Sequence, residues 1–457
     1  MSSSATWRFP RPFWTANGVE LFERAAYYGT FISLALYLTR VVGFTDVQTG
    51  WIAGTFAAVL YFAPSFAGAV ADAIGFKRAL ILAFTLLALG YSSLGAVPTR
   101  PTAILSLTLI MAGGAFVKPV ISGTVARSSD EVNRARAFSI FYQVVNIGSF
   151  SGKALAKPLR TGIGLESIHY ASAGFALLAL TVVLLLYREP AGQGTSRPPA
   201  EVLRGLVKVL GNGRFMALLI IVGGFWAIQQ QLYATLPKYV LRVVGEGAAP
   251  EWYANINPLV VVLLVVPITQ AVRRLLPVTS IAIALGIIPV AALLMGLSPA
   301  LGGPVHIAGL ALHPVTVTMV GGIGLQGLAE CFLSPRFLEF TSKQAPPGET
   351  GLYMGYSYLT SFFGNILGFG LSGYLLERWC PDPAAQAPAV QAAWKTAIEA
   401  GTPLPEAWAH AHLIWYVFAG VGAVAFVALL VFRAVTAALD RGEGSPPAPS
   451  FGPADAR

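Results

Sequence analysis

The chain has 457 residues, of which 55% are hydrophobic and only 11% charged, with a net charge of +9 and a mean hydropathy of +0.66. Soluble domains carry roughly 25% charged residues, which excludes a soluble globular protein, and apolar runs of the ~20 residues that cross a bilayer recur along nearly the whole length. They lack the alternation in ~10-residue segments of a β-barrel, so the composition is that of an all-α integral membrane protein, its surroundings the lipid bilayer and its positive charge no sign of a nucleic-acid partner.

The N-terminus, MSSSATWRFPRPFW, sets arginines before a long apolar stretch that is interrupted by charge. It reads as a first membrane helix with a cytoplasmic start and not as a cleaved signal peptide. Hydropathy and breaker residues predict twelve spans, at 14–41, 47–72, 77–97, 101–127, 135–161, 167–187, 214–242, 251–275, 278–298, 306–340, 349–378 and 409–436. Lysine and arginine in the short loops fall mainly on one side, among them Arg8, Arg11, Lys77, Arg78, Arg127, Arg134 and Arg136. By the positive-inside rule this side is cytoplasmic, with both termini on it, in a plasma (inner) membrane.

In the first span the tract ELFERAAYYG carries Glu20, Glu23 and Arg24. At about 100° per residue these three and Tyr27 share an arc of roughly 100°. Charges on one such face cannot look at lipid, where each costs from about 3 to more than 10 kcal/mol. They face a watery cavity or one another. After span two, GAVADAIGFKR brings Asp72, Lys77 and Arg78 to an inner turn. Asp72 there can meet a helix N-terminus or a basic partner and latch one conformational state.

Further polar groups lie deep in spans four, five, eight and ten: Lys118, Asn146, Asn257 and Glu330. Glu20, Glu23 and Glu330 then stand against Arg24 and Lys118. In a low dielectric that imbalance is relieved when one carboxylate takes a proton. A zwitterion would place its carboxylate near Arg24 and Lys118 and its ammonium near Glu330. Lys153 and Lys157, near the end of span five, read as an exposed rim, and His306, His313, His410 and His412 as interfacial or packing residues. Gly113 and Gly114 read as close helix packing.

The segment 189–212 is the longest polar break on the inner side and reads as a linker with a short surface helix. It separates an N-terminal six-helix bundle (1–188) from a C-terminal one (213–438), followed by a tail (439–457) expected to be disordered. Loop 379–408 is expected to hold a short helix. Cys331 and Cys380 lie in or beside apolar segments and predict no disulfide framework. No HExxH, P-loop or GxSxG motif occurs, which argues against a membrane metalloprotease, an ATP-driven pump or a serine hydrolase; no enzyme is expected, and no catalytic residue and no metal ligand is named. No cofactor and no obligate protein partner are indicated.

Six plus six spans with a cytoplasmic linker is the layout of the major facilitator superfamily, and Gly68, Asp72, Gly75, Lys77 and Arg78 resemble its loop signature, with Ala73 where a basic residue is usual. Nearly the whole chain further resembles the proton-dependent oligopeptide transporter family. The motifs are ELFERAAYYG, FVKP, FYQVVNIG, EWYANINPL, AECFLSP and GNILG, in the family's order. The resemblance implies symport of di- and tripeptides with protons by alternating access, driven by the proton gradient. It implies that Arg24 and Lys118 hold the peptide carboxylate and that Asn146, Asn257 and Glu330 hold its amino terminus. Tyr27, Tyr28 and Tyr61 would line the pocket, and Glu20 and Glu23 would serve proton coupling with Arg24 and Lys118. The alternative is the same fold carrying another small zwitterion or organic anion without protons. Three departures favour it. Gln230, in FWAIQQQLYATLP, stands where the family carries a glutamate, Phe31 where it carries that glutamate's arginine, and Ser357 where it carries a tryptophan.

Overall fold

The computed structural model describes residues 8–130, 133–189, 199–307, 309–344 and 350–442. The first helices are α1 (Arg11–Arg40), α2 (Asp46–Phe62), α3 (Pro64–Ile74), α4 (Phe76–Ala96), α5 (Arg100–Arg127), α6 (Arg134–Gly162), α7 (Glu166–Leu185) and α8 (Pro199–Leu210). They are followed by α9 (Gly213–Gln229), α10 (Gln231–Ala234), α11 (Leu236–Val243), α12 (Pro250–Tyr253), α13 (Ile256–Ala271) and α14 (Pro277–Gly296). The last are α15 (Pro314–Gln344), α16 (Thr350–Tyr356), α17 (Leu359–Trp379), α18 (Pro388–Ala400), α19 (Glu406–Ala409) and α20 (Leu413–Gly442).

Among the described residues, nine stretches are long and apolar enough to cross a membrane, and the α2–α3 pair, bent by 49°, makes a tenth. Helices α1 and α6 have the length but carry charge within them, and they complete twelve spans. The breaks have local causes. Pro64 has no N–H to continue α2, so the span bends there. Gly75 turns the chain from α3 into α4 with φ 91°, a region that side-chain-bearing residues rarely enter. The Thr99 hydroxyl accepts a bond from Thr102 N and caps α5, with Pro101 in its first turn. The seventh span is broken at Gln230 and Thr235 into α9, α10 and α11, with Pro237 in the first turn of the last piece.

Two span limits differ from expectation. Residues 306–313 do not belong to the tenth span: Val305–Ile307 and Leu310–Leu312 form an antiparallel hairpin, and the helix begins at Pro314, a residue suited to the first helical position. The last helix runs to Gly442, into the stretch read as a tail, while 443–457 lie outside the described residues. Helix α8 falls within the 189–212 linker and leaves Leu203, Val207 and Leu210 exposed. Helix α18 lies in the 379–408 loop.

By packing, the chain divides into two compact units, Met1–Thr45 with Val59–Arg204, and Asp46–Ala58 with Gly205–Arg457. In the first, α1 lies against α6 and α7, and α4 against α5 and α7. In the second, α14 packs on α15 and α20, α9 on α17, and α13 on α15. The α1–α6 contact is backbone-close because α6 presents Gly148 and Gly152. A Cβ on Gly148 would lie 2.7 Å from the Leu21 carbonyl oxygen, and one on Gly152 would collide with that of Ala25. Gly113 is constrained in the same way, since a Cβ there would lie 2.6 Å from the Ala83 carbonyl oxygen, as expected of close helix packing. The variant Gly152→Val is therefore expected to cost about 1–3 kcal/mol by overpacking, seen as a lower melting temperature of the detergent-purified protein.

Candidate functional site

The first unit places the charged face of α1 on a cavity of about 40 Å³ lined by Glu23, Arg24, Tyr27, Tyr28, Tyr61, Tyr91 and Lys118, with Leu60, Leu87, Ile110 and Gly114. The space suits a carboxylate-sized group with its water. Arg24 is the centre of the arrangement: its Nε donates to Glu23, its chain neighbour, and meets Glu20 Oε1, one turn back, at 3.2 Å. All three side chains are buried. The other oxygen of Glu20, Oε2, has no hydrogen-bond partner among the described residues. A buried carboxylate oxygen without a donor is costly, and a proton or a water satisfies it.

Aromatic faces complete the cation environment. The Arg24 guanidinium lies 5.4 Å from the Tyr27 ring centre and 6.0 Å from that of Tyr28, and Lys118 Nζ lies 5.0 Å from that of Tyr61. Such contacts hold a cation in place without neutralising it, so its charge stays available to an anion. The helical arc on α1 thus brought together the residues it grouped, and Lys118 and Tyr61 join them from α5 and α2. Tyr91, on α4, is a lining residue that sequence reasoning missed, because an aromatic in an apolar helix carries no signal of its own. Asn146 sits elsewhere: its amide donates to the Tyr142 carbonyl oxygen of its own helix at 2.8 Å and does not line this cavity.

Lys153 requires a correction. It is no exposed rim: it is 1% exposed, with its Nζ 5.5 Å from the Tyr28 ring centre. The close approach of α6 to α1 through Gly148 and Gly152 buries the adjoining face and carries Lys153 in with it. The GSFSG spacing is the signal that could have found it, since small residues four apart mark a helix contact. Lys157, one turn on, is half-buried.

In the second unit Glu330 of α15 accepts from Gln229 Nε2 at 2.8 Å and from Asn257 Nδ2 at 3.3 Å. The two donors come from the end of α9 and the start of α13. Gln230, next to Gln229, is buried with its Oε1 lacking a partner among the described residues. In the first unit Phe31 stacks on Tyr27 at 5.1 Å. Each position is thus filled by a neutral group.

Two ion clusters stand at other ends of the helices. Asp72 pairs with Arg127 of α5 at 3.0 Å and not with Lys77 or Arg78, and the Arg127 guanidinium lies 4.1 Å from the Phe76 ring centre. Lys77 Nζ donates to the Leu184 carbonyl oxygen, its backbone N–H to Glu189, and Arg78 is exposed. Within the second unit Asp46 accepts from Lys238 at 2.6 Å and from both Arg242 nitrogens, at 2.7 and 3.1 Å. Arg242 also donates to the Cys380 carbonyl oxygen at 2.7 Å and meets Asp382 at 3.4 Å. Lys238 is buried, because Pro237 and the break at Thr235 turn α11 into the unit.

Comparison with known proteins gives a consistent picture. The family model of the Major Facilitator Superfamily matches residues 19–312. The dipeptide and tripeptide permease B of Salmonella typhimurium is 30% identical over 253 residues, 51% of this chain and 48% of that protein. That of Edwardsiella piscicida is 32% identical over 47% of this chain and 42% of the permease, so the chain spans about half the length of these relatives. The dipeptide and tripeptide permease A of Citrobacter koseri aligns more fully, 23% identical over 80% of this chain and 84% of its own. Among solved structures, a POT family transporter in complex with 5-aminolevulinic acid has a TM-score of 0.71 at 19% identity, covering 93% of this chain and 96% of that one. A peptide transporter POT in complex with sulfate has a TM-score of 0.69 at 20% identity, covering 94% and 95%. The twelve membrane spans agree with the superfamily match, and the chain belongs to the major facilitator superfamily.

Proposed function

We propose that the protein is a secondary transporter that imports di- and tripeptides together with protons by alternating access. The observation that carries the reading is the cavity in which Arg24, held by Glu20 and Glu23, stands beside Lys118 among tyrosine faces. A peptide's terminal carboxylate is the complement of that pair; in the second unit Glu330, which Gln229 and Asn257 hold in place, is a carboxylate suited to an ammonium. Tyr27, Tyr28 and Tyr61 then contact the peptide. The partnerless oxygen of Glu20 is where a proton is taken up, with Glu23, Arg24 and Lys118 exchanging contacts as it moves. Asp72 with Lys77 and Arg78 forms the inner latch, to which the structure adds Arg127 as the residue that pairs with Asp72. The permeases of similar sequence bear the name of dipeptide and tripeptide carriers, which supports the same cargo. The proton gradient across the inner membrane is the driving force, and both termini are cytoplasmic.

The test uses purified protein in liposomes that hold a pH dye, with an inside-negative potential. Dipeptides and tripeptides are expected to acidify the lumen. No acidification with continued exchange of labelled peptide means transport without protons. No exchange of any peptide sinks the peptide reading. Gln230 and Phe31 favour a second reading, the same fold carrying another small zwitterion without protons. It predicts exchange of a non-peptide amino acid such as 5-aminolevulinic acid, the ligand of one similar structure, with no change in lumen pH.

A further inference from the structure

We propose that Asn17 is a positioning residue for the coupling proton: its side-chain oxygen accepts the hydrogen bond of Glu20 once Glu20 is protonated. The inference rests on the reading of Glu20 as the group that takes up the proton, and it names the residue that holds the proton there. Asn17 lies on α1 three residues before Glu20, about 60° from it around the helix axis. Side chains at this spacing are neighbours on one face. Both are buried, at 3% and 1% exposure. The Asn17 amide is oriented by its own helix, because Nδ2 donates to the Phe13 carbonyl oxygen at 2.8 Å. Turning the amide over would set two oxygens against each other, so the remaining arm is the acceptor Oδ1.

Neither Asn17 Oδ1 nor Glu20 Oε2 has a donor among the described residues. Buried acceptors are ordinarily satisfied, and these two stand one turn apart. Toward the start of the helix the face is sealed by Phe13, which packs with Phe9, Val125 and Ala137. Arg24 is engaged on the other side, its Nε meeting Glu20 Oε1 and Glu23. A single proton satisfies both oxygens. Taken from water onto Glu20 Oε2, it turns the carboxylate into a neutral carboxyl whose O–H donates to Asn17 Oδ1. Returned to water, it leaves both oxygens as bare acceptors. The charges that act on Glu20 are Arg24 and Glu23 of its own helix and Lys118 of α5. Lys153 of α6 lies against Tyr28 and His169 of α7 against Tyr37, farther along α1. Replacing Asn17 by a neutral residue alters none of these groups. A hydrogen bond made only by the neutral carboxyl favours that form, so Asn17 sets how firmly Glu20 keeps its proton.

The experiment measures uptake of a labelled dipeptide by the full-length protein in inside-negative liposomes as the outer pH is varied, and reads the pH of half-maximal rate. In Asn17→Leu and Asn17→Ala, which lack the acceptor, this midpoint is expected to move to lower pH by about half to one unit. The two differ in volume, so the measurement survives the misfolding of either. Asn17→Asp should move the midpoint the other way, to higher pH, because two carboxylates one turn apart hold a shared proton more firmly than one. A residue that only packs would lower the rate in all three without moving the midpoint in opposite directions. A wild-type midpoint in the neutral variants overturns the proposal, as does a shift of the same sign in Asn17→Asp. Either result leaves the coupled reading standing, since the wild type still acidifies the lumen. If wild-type uptake is independent of pH and the lumen does not acidify, the proposal falls together with the assignment of the proton to Glu20.

Discussion

Replacing Asp46 by alanine is expected to destabilise the purified protein by about 3–5 kcal/mol, the range for breaking a buried ion pair from one side. Asp46 is 4% exposed and its partners Lys238 and Arg242 are 1% and 0%. It is the carboxylate shared by two cations, and it accepts three bonds from them. Removing it leaves both cations facing each other in a dry interior, with Arg242 retaining the Cys380 carbonyl and the more distant Asp382. The measurement is thermal unfolding in detergent, where Asp46→Ala should melt well below the wild type. Removing the whole set behaves differently, because a buried ion cluster exchanged for apolar groups of similar size is often neutral or stabilising. Asp46→Leu combined with Lys238→Met and Arg242→Met should recover most of the lost stability. If Asp46→Ala melts like the wild type, the cluster is solvated and the geometric argument is wrong.

The second large effect concerns Glu20 and Lys118. Glu20→Gln keeps the size of the side chain and its ability to meet Arg24 but cannot take up or release a proton. Peptide-dependent acidification of inside-negative liposomes should fall to background, while exchange of labelled peptide across the same membrane continues. Lys118→Ala removes one of the two cations assigned to the peptide carboxylate, and truncating one partner of a buried charge pair costs about 2–5 kcal/mol. Affinity for peptide should fall by about thirtyfold or more, and exchange should fall with it. The two variants therefore separate coupling from binding. Acidification that persists in Glu20→Gln would move the proton to Glu23, and unchanged affinity in Lys118→Ala would remove Lys118 from the site.

The charged cluster of α1 was legible because it is local: residues three and four apart share a helix face whatever packs on them, and Glu20, Glu23, Arg24 and Tyr27 do meet. Glu330 and Asn257 were found as polar groups in apolar runs, but their bond to each other, and that of Glu330 to Gln229, joins residues 73 and 101 positions apart. Asp72 was identified as one side of an inner contact. Its partner was not, because Arg127 lies 55 residues on and looks in sequence like any loop arginine. The start of the tenth span was misplaced for a different reason: hydropathy continues through residues 306–313, but the chain turns at Gly309 into a hairpin before Pro314 opens the helix.

By itself the sequence determined that this is a twelve-span membrane protein and that charge lies inside the first, fourth and tenth of those spans. Composition and hydrophobic length need no knowledge of neighbours, because lipid imposes them on every helix separately. Which charges are buried, and against what, was decided by tertiary structure. Lys153 and Lys238 both stand near breaks or span ends, where a lysine ordinarily reaches water. One is enclosed because two glycines let α6 close onto α1, the other because the breaks in the seventh span turn α11 into the unit beside Asp46. Desolvation depends on what packs against a side chain, and packing partners come from residues distant in the chain, so local pattern offered at most the GSFSG spacing beside Lys153 and nothing for Lys238.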